Sequence, residues 1–156
     1  MILETERLYL REMNQNDFES LCKILQDKDT IYAYEGAFSD DEAHEWLDRQ
    51  LTVIKNGVLV YGQLFWRQPW KDSEVLEIGY LFERSYWHNG YATEAAKACK
   101  KYAFEVLNAT EVCSIIRDTN IASQNVSVRN GMKIMDTWIK HYRCVDIPHY
   151  RYVIYR

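Results

Sequence analysis

The chain has 156 residues, 47% of them hydrophobic, which is enough for one domain with a genuine core and too apolar for a disordered segment. Its formal net charge is −4 and its pI about 5.6. That balance argues against nucleic acid as the main partner, since duplex binding usually needs a basic face. No apolar run approaches the roughly 20 residues needed to span a bilayer.

The start, MILETERLYLRE, is charged at once and lacks a signal-peptide core. Arg7 to Met13 then alternates apolar and polar residues, which predicts a strand. Asn16-Asp17 opens a helix to about Asp27, with Phe18, Leu21, Cys22, Ile24 and Leu25 as its apolar stripe. Residues 29–38, DTIYAYEGAF, read as a loop. Ser39 with Glu42 is a capping box and starts a second helix, whose stripe runs through Ala43, Trp46, Leu47, Leu51 and Ile54. Its end has two readings. The helix runs to about Lys55, or a short strand 51–55 turns at Asn56-Gly57, a strong hairpin signal. The helix is the preferred reading.

Val58 to Trp66 is expected to be a strand, Gln68 to Ser73 a turn around Pro69, and Glu74 to Glu83 a long strand. Gly79 in its middle suggests a bulge or a close backbone approach. A helix follows from about Gly90 to Leu107. Ala92, Ala95, Ala96, Cys99, Ala103, Val106 and Leu107 are expected to face the core, and Glu94, Lys97, Lys101 and Glu105 to face water. Glu111 to Arg117 is a continuous apolar strand. Asn120 to Asn130 is a short helix stopped by Gly131. Lys133 to Tyr142 and His149 to Tyr155 are closing strands joined by a loop with Pro148. Cys22, Cys99, Cys113 and Cys144 stand singly, as expected of free thiols in a reducing cytoplasm. His44-Glu45 lacks a second His at i+4, so no metal site is expected.

The stretch SYWHNGYATEAAKACKKYAF organises the rest. A helix start leaves backbone N–H groups without internal partners and carries about half a positive charge. Gly90 and Ala92 keep side chains out of the way, so the stretch reads as a cradle for a pyrophosphate.

Three pieces now resemble one family. TERLYLRE is similar to an opening strand, YWHNGYATEA to an acetyl-CoA loop of the form [QR]-x-x-G-x-[GA], with Trp87 where Arg or Gln is common, and NIASQNVSVRNGM to a second cofactor motif, N-x-x-S-x-x-V. In that order they resemble a GNAT-type N-acetyltransferase of the RimJ/RimL-like branch, over nearly the whole chain. The resemblance implies an α/β fold of one domain, 1–156, in which a twisted mixed sheet is flanked by about four helices. Strands 74–83 and 111–117 would splay apart into an acetyl-CoA cleft. Family members carry a two-strand hairpin between the second helix and residue 74, where this chain has room for one good strand.

The same resemblance implies transfer of an acetyl group from acetyl-CoA, as co-substrate and without a metal, to a primary amine on a protein N-terminus or a small molecule. Pantetheine would bond near Leu81 and Phe82, and the pyrophosphate would meet the amides of His88, Asn89, Gly90, Tyr91 and Ala92. Thr93, Asn120, Ser123 and Asn125 complete the expected cofactor contacts. Glu77 is the candidate base, its plainer alternative being a solvated strand glutamate. Ser123 would sit near the sulfur. The family's tyrosine acid falls at Ser127, so Tyr142 is the candidate replacement. Tyr32, Tyr34 and Trp70 are candidates for the acceptor pocket. The competing class is a non-catalytic acyl-CoA-binding module. A monomer or homodimer is expected, with no membrane partner.

Overall fold

A computed structural model describes residues 3–31, 36–55, 66–70, 73–142 and 145–156. The N-terminal segment is a tight antiparallel hairpin, β1 (Leu3–Glu4) against β2 (Tyr9–Leu10), with Leu3 opposite Leu10. The expected strand 7–13 is therefore cut to two residues. Thr5 explains why: its amide donates to the Leu8 carbonyl (2.9 Å) and its hydroxyl accepts from the Leu8 amide (2.9 Å), so Arg7 lies in a turn.

Asn14 caps a single 3₁₀ turn at Gln15–Asp17, with a reciprocal Asn14–Asp17 capping box, and α1 (Phe18–Leu25) follows. α2 (Asp40–Lys55) starts at the predicted box, the Ser39 amide donating to Glu42 Oε2 at 2.8 Å. Its length settles the ambiguity at 51–55 in favour of the helix. Leu21, Leu25, Ile31, Ala43, Trp46 and Leu47 form the core between the two helices.

The main sheet has the order β3-β4-β5-β7-β6, from β3 (Trp66–Trp70), β4 (Ser73–Glu77), β5 (Glu111–Arg117), β6 (Lys133–Tyr142) and β7 (Val145–Tyr155). Only β4 and β5 are parallel; the other pairs run antiparallel. Of the strand expected at 58–66, residues 58–65 lie outside the described residues. The turn expected at 68–73 is instead mostly strand, with Pro69 opposite Glu74. Proline is tolerated because β3 is the edge among the described strands, where a missing N–H breaks no second ladder. One described strand thus occupies the stretch where the family carries a hairpin.

Pro148 is likewise in a strand, not a loop. β7 begins at Val145, and Pro148 pairs with Ile139 on β6. β5 already ends at Arg117, opposite His149, so the Pro148 nitrogen has no strand to bond. Its carbonyl accepts from the Asp118 amide at 3.0 Å.

α3 (Tyr91–Glu105) and α4 (Ile121–Arg129) cover one face of the sheet. Ile78, Ala96, Cys99, Tyr102, Ala103, Val112, Ile116, Val126, Met132 and Tyr152 fill the space between. Burying one such large apolar side chain is worth about 1.5–3 kcal/mol. Two expectations fail on α3. Val106 is 57% exposed, because the helix has ended by that residue. Glu94 does not simply face water: it accepts from Thr5 and Arg7 (below).

Candidate active site

β4 was expected to run to Glu83 but leaves the sheet after Glu77. The last rung is the Ile78 amide to the Cys113 carbonyl, 2.7 Å. In a regular parallel ladder the Ile115 amide would next bond the Ile78 carbonyl. Two side chains take those groups instead. Ile115 N–H donates to Glu77 Oε1 at 3.3 Å, and the Ile78 carbonyl accepts from the Ser114 hydroxyl at 2.6 Å. β4 and β5 part there, and both of these backbone groups stay satisfied. Gly79 is thus the exit from the strand and not a bulge within it. Glu77 is 3% exposed, so it is not a solvated strand glutamate. Its side chain is built into the fork.

Beyond the fork a single cleft opens, lined by residues 78–82 on one side and Ser114–Arg117 on the other. Leu81 packs against the α1–α2 core, and the Phe82 carbonyl accepts from Trp87 Nε1 at 2.8 Å. Tyr80, which the sequence reading passed over, bridges the cleft: its hydroxyl donates to the Ser123 carbonyl at 2.7 Å. Burial pushes this phenol above its ordinary range, which makes it a fixed neutral donor at neutral pH. The buried Ser127 hydroxyl sits beside the same phenol without a well-formed bond of its own. The only hint of Tyr80 in the sequence was its place just after the strand-breaking Gly79.

The start of α3 closes one end of the cleft. His88 and Gly90 both have positive φ, 61° and 81°. Gly90 is the N-cap, with no side-chain cap bond, so no side chain covers the first-turn amides. Asn89 turns inward. Its Nδ2 donates to the Tyr86 and Trp87 carbonyls at 3.2 and 2.9 Å, which holds the loop in its left-handed course. Arg7 clasps the loop from outside, donating to the Asn89 carbonyl (3.0 Å) and to Glu94 Oε2 (2.8 Å) and lying 4.8 Å from the Tyr91 ring centroid. The Thr5 hydroxyl donates to Glu94 Oε1 at 2.6 Å. That bond, with help from Arg7, holds the Glu94 carboxyl below the usual carboxylate range.

α4 starts across the cleft. Asn120 Oδ1 accepts from the Ser123 amide at 3.1 Å and so caps the helix. Gln124, also passed over, ties this start to β5 through the Asp118 carbonyl (2.8 Å). Lys100 Nζ donates to the Asn130 carbonyl at 2.7 Å, joining the end of α4 to α3. Burial and Lys97 lower the Lys100 pKa.

Of the residues named from the sequence, Glu77, Leu81, Phe82, His88, Gly90, Tyr91, Ala92, Thr93, Asn120, Ser123 and Asn125 all line this one cleft. Asn89 supports it from behind. Tyr142 closes β6 opposite Val145, and its side chain lies outside the described residues. So do Tyr32, Tyr34 and the Trp70 side chain. Among the described residues no group of His, Cys, Asp and Glu could hold a metal ion, and no helix is long and apolar enough to cross a membrane.

A forked parallel pair facing an uncapped helix start is the geometry of an acyl-CoA-dependent acetyltransferase. Residues 7–133 match the acetyltransferase (GNAT) domain, and the chain belongs to that family. It is 31% identical over 153 residues to the protein YkkB of Bacillus subtilis, covering 86% of this chain and 87% of that one. Its fold is similar to that of a GNAT-family acetyltransferase from Bacillus anthracis, with a TM-score of 0.81 at 22% identity and coverage of 99% and 98%. It also resembles RimL, a ribosomal alpha-N-protein acetyltransferase in complex with coenzyme A, with a TM-score of 0.75 at 14% identity and coverage of 99% and 98%.

Proposed function

We propose that the chain, as one domain over 1–156, transfers an acetyl group from acetyl-CoA to a primary amine by direct attack in a ternary complex. The amine nitrogen bonds to the thioester carbonyl carbon, the C–S bond breaks, and the amine's surplus proton and the thiolate's missing one are settled by nearby groups. The observation that carries this reading is the juxtaposition of the glycine-capped start of α3 with the fork at Glu77. One end offers amides and dipole to a diphosphate, and the other offers an open strand edge to an extended amide-bearing chain. Tyr91, Ala92 and Thr93 would supply the first-turn amides, with His88 as a neighbour of the phosphates. Leu81, Phe82, Asn120, Ser123 and Asn125 would line the pantetheine path. Free thiols at Cys22, Cys99 and Cys113 suit a reducing cytoplasm.

A backbone N–H released where β4 leaves the sheet is the candidate oxyanion donor; losing one such donor costs about 2.7–4 kcal/mol. Glu77 is the candidate proton acceptor, directly or through water. Its carboxylate also accepts from the Ile115 amide. An α-amine, with a pKa of about 8, needs less help than a lysine amine at about 10.4. This favours an α-amino acceptor. Ser123 and Tyr142 remain candidates for protonating the leaving sulfur.

Calorimetry with coenzyme A, followed by thiol release from acetyl-CoA with an amine panel, tests the reading. Binding with amine-dependent release supports a transferase. Binding with no release from any amine would favour a non-catalytic acyl-CoA module, and no binding would end both readings.

A further inference from the structure

Strand register sorts the cleft-lining residues onto two faces of the sheet. Tyr150, Tyr152 and Ile154 on β7 pack with α3 and α4, so His149 and Arg151 point to the other face. Val153, packed with Val75 and Cys113, shares it. Cross-strand partners share a face, which adds Glu77 (opposite Cys113) and Arg117 (opposite His149). On β6 it adds Trp138 (opposite His149) and Lys140 (opposite Ile147). The candidate diphosphate cradle, with Lys97, Lys100, Lys101 and Arg129 lining the cleft, belongs to the helix-covered face. The charges on the other face are a separate set.

That second face is cationic where it meets the cleft. Arg117 and Lys140 line it, against the single carboxylate of Glu77 among the described residues there. Glu77 holds the Ile115 amide. The other acids of this face, Glu111 and Asp136, are drawn to Arg151 at 2.6 and 3.0 Å and do not line the cleft. His149 sits between the two sheet cations. Its Nδ1 meets the Ile147 carbonyl at 2.9 Å, which fixes the ring. Burial, Lys140 and Arg117 lower its pKa, while the Ile147 carbonyl and Asp118 oppose them. A basic lining on a chain of net charge −4 is a local arrangement, not a by-product of composition.

Resting on the transferase reading above, we infer that Arg117 and Lys140, flanking His149 on the face opposite α3 and α4, form the acceptor-side anion site. The acceptor is an amine whose carrier bears a carboxylate, as an amino acid or a peptide with an acidic residue does. A polyamine would meet like charges, and juxtaposed like charges discriminate strongly against a wrong partner.

The test compares glycine, β-alanine and glycyl-glutamate, each beside its neutral carboxamide counterpart, with spermidine as the cationic control. We expect kcat/KM for at least one acid to exceed that of its amide by about tenfold, the scale of a charge-assisted hydrogen bond. Arg117→Gln and Lys140→Gln each lower that ratio severalfold by raising the acid's KM, and Arg117→Lys retains part of it. The KM for acetyl-CoA does not move, and thermal melts confirm that the variants fold. Preference for the amides or spermidine overturns the inference. So does an acid-to-amide ratio that neither variant changes, or no turnover of any acid while coenzyme A binds. Failure to bind coenzyme A at all would instead bring down the transferase reading on which the inference rests.

Discussion

Gly90 holds φ at 81°, and a Cβ there would meet only Arg7 Nη2 at 3.5 Å. The position is therefore constrained by conformation more than by space. Gly90→Ala should cost about 1–2 kcal/mol of stability. Gly90→Glu adds a carboxylate where a diphosphate is expected and should abolish coenzyme A binding by calorimetry while the melt stays cooperative. Glu77 separates two roles. Glu77→Gln keeps an oxygen for the Ile115 amide, so coenzyme A affinity should hold while turnover falls by about 10²-fold or more, the usual reach of a general base. Equal turnover would reduce Glu77 to a spacer in the fork. Burial pushes the Cys99 and Cys113 thiols up to about 12. A disulfide reagent should therefore leave both unmodified in the native protein and label them on unfolding. Most of the residues named for this cleft do line it, and they were legible in the sequence because Gly90, Asn120 and Ser123 act through local backbone rules. Tyr80 was not, because its partner Ser123 lies 43 residues away.

Among the elements, the N-terminal hairpin is fastened to α3 through one carboxylate. Glu94 takes Thr5, the Arg7 amide and the Arg7 guanidinium. Its pKa is depressed in the fold, so its contribution is complete above the unfolded value of about 4.3 and is lost as pH falls through the lower folded value. Acid should thus release the hairpin. Glu94→Gln should be less stable than wild type at neutral pH, and the gap should close between about pH 5 and pH 3 in denaturant titrations. β5 and β6 matched their expected spans at both ends because their patterns are long and bounded by turn residues. The errors fell where proline or glycine signals compete with tertiary pairing. Pro69 and Pro148 read as turns, yet each sits where its missing N–H meets no partner among the described strands. The strand to Glu83 read as continuous because EVLEIGYLFE keeps its apolar character past the fork. Nothing in that string announces that Glu77 and Ser114 side chains replace a rung.

Across the whole molecule, an acidic chain concentrates cations along one cleft. Local potential, not net charge, then governs association with an anionic co-substrate. The KM for acetyl-CoA should rise with added salt as the Debye length shrinks from about 10 Å at 0.1 M to about 3 Å at 1 M; a flat response would mean that the lysines of α3 do not face the phosphates. The fold class followed from the resemblance carried by three motifs in order. The acidity argument against nucleic acid could not foresee a basic cleft, because composition averages over surfaces that folding separates. The fork has one more consequence. If the thioester is delivered from the helical side of the sheet and the amine from the other, the two do not share a doorway. Neither has to leave before its counterpart arrives, and no acyl group needs to be parked on the enzyme. Double-reciprocal initial-rate plots at several fixed amine concentrations should intersect; a parallel set would point to a ping-pong route.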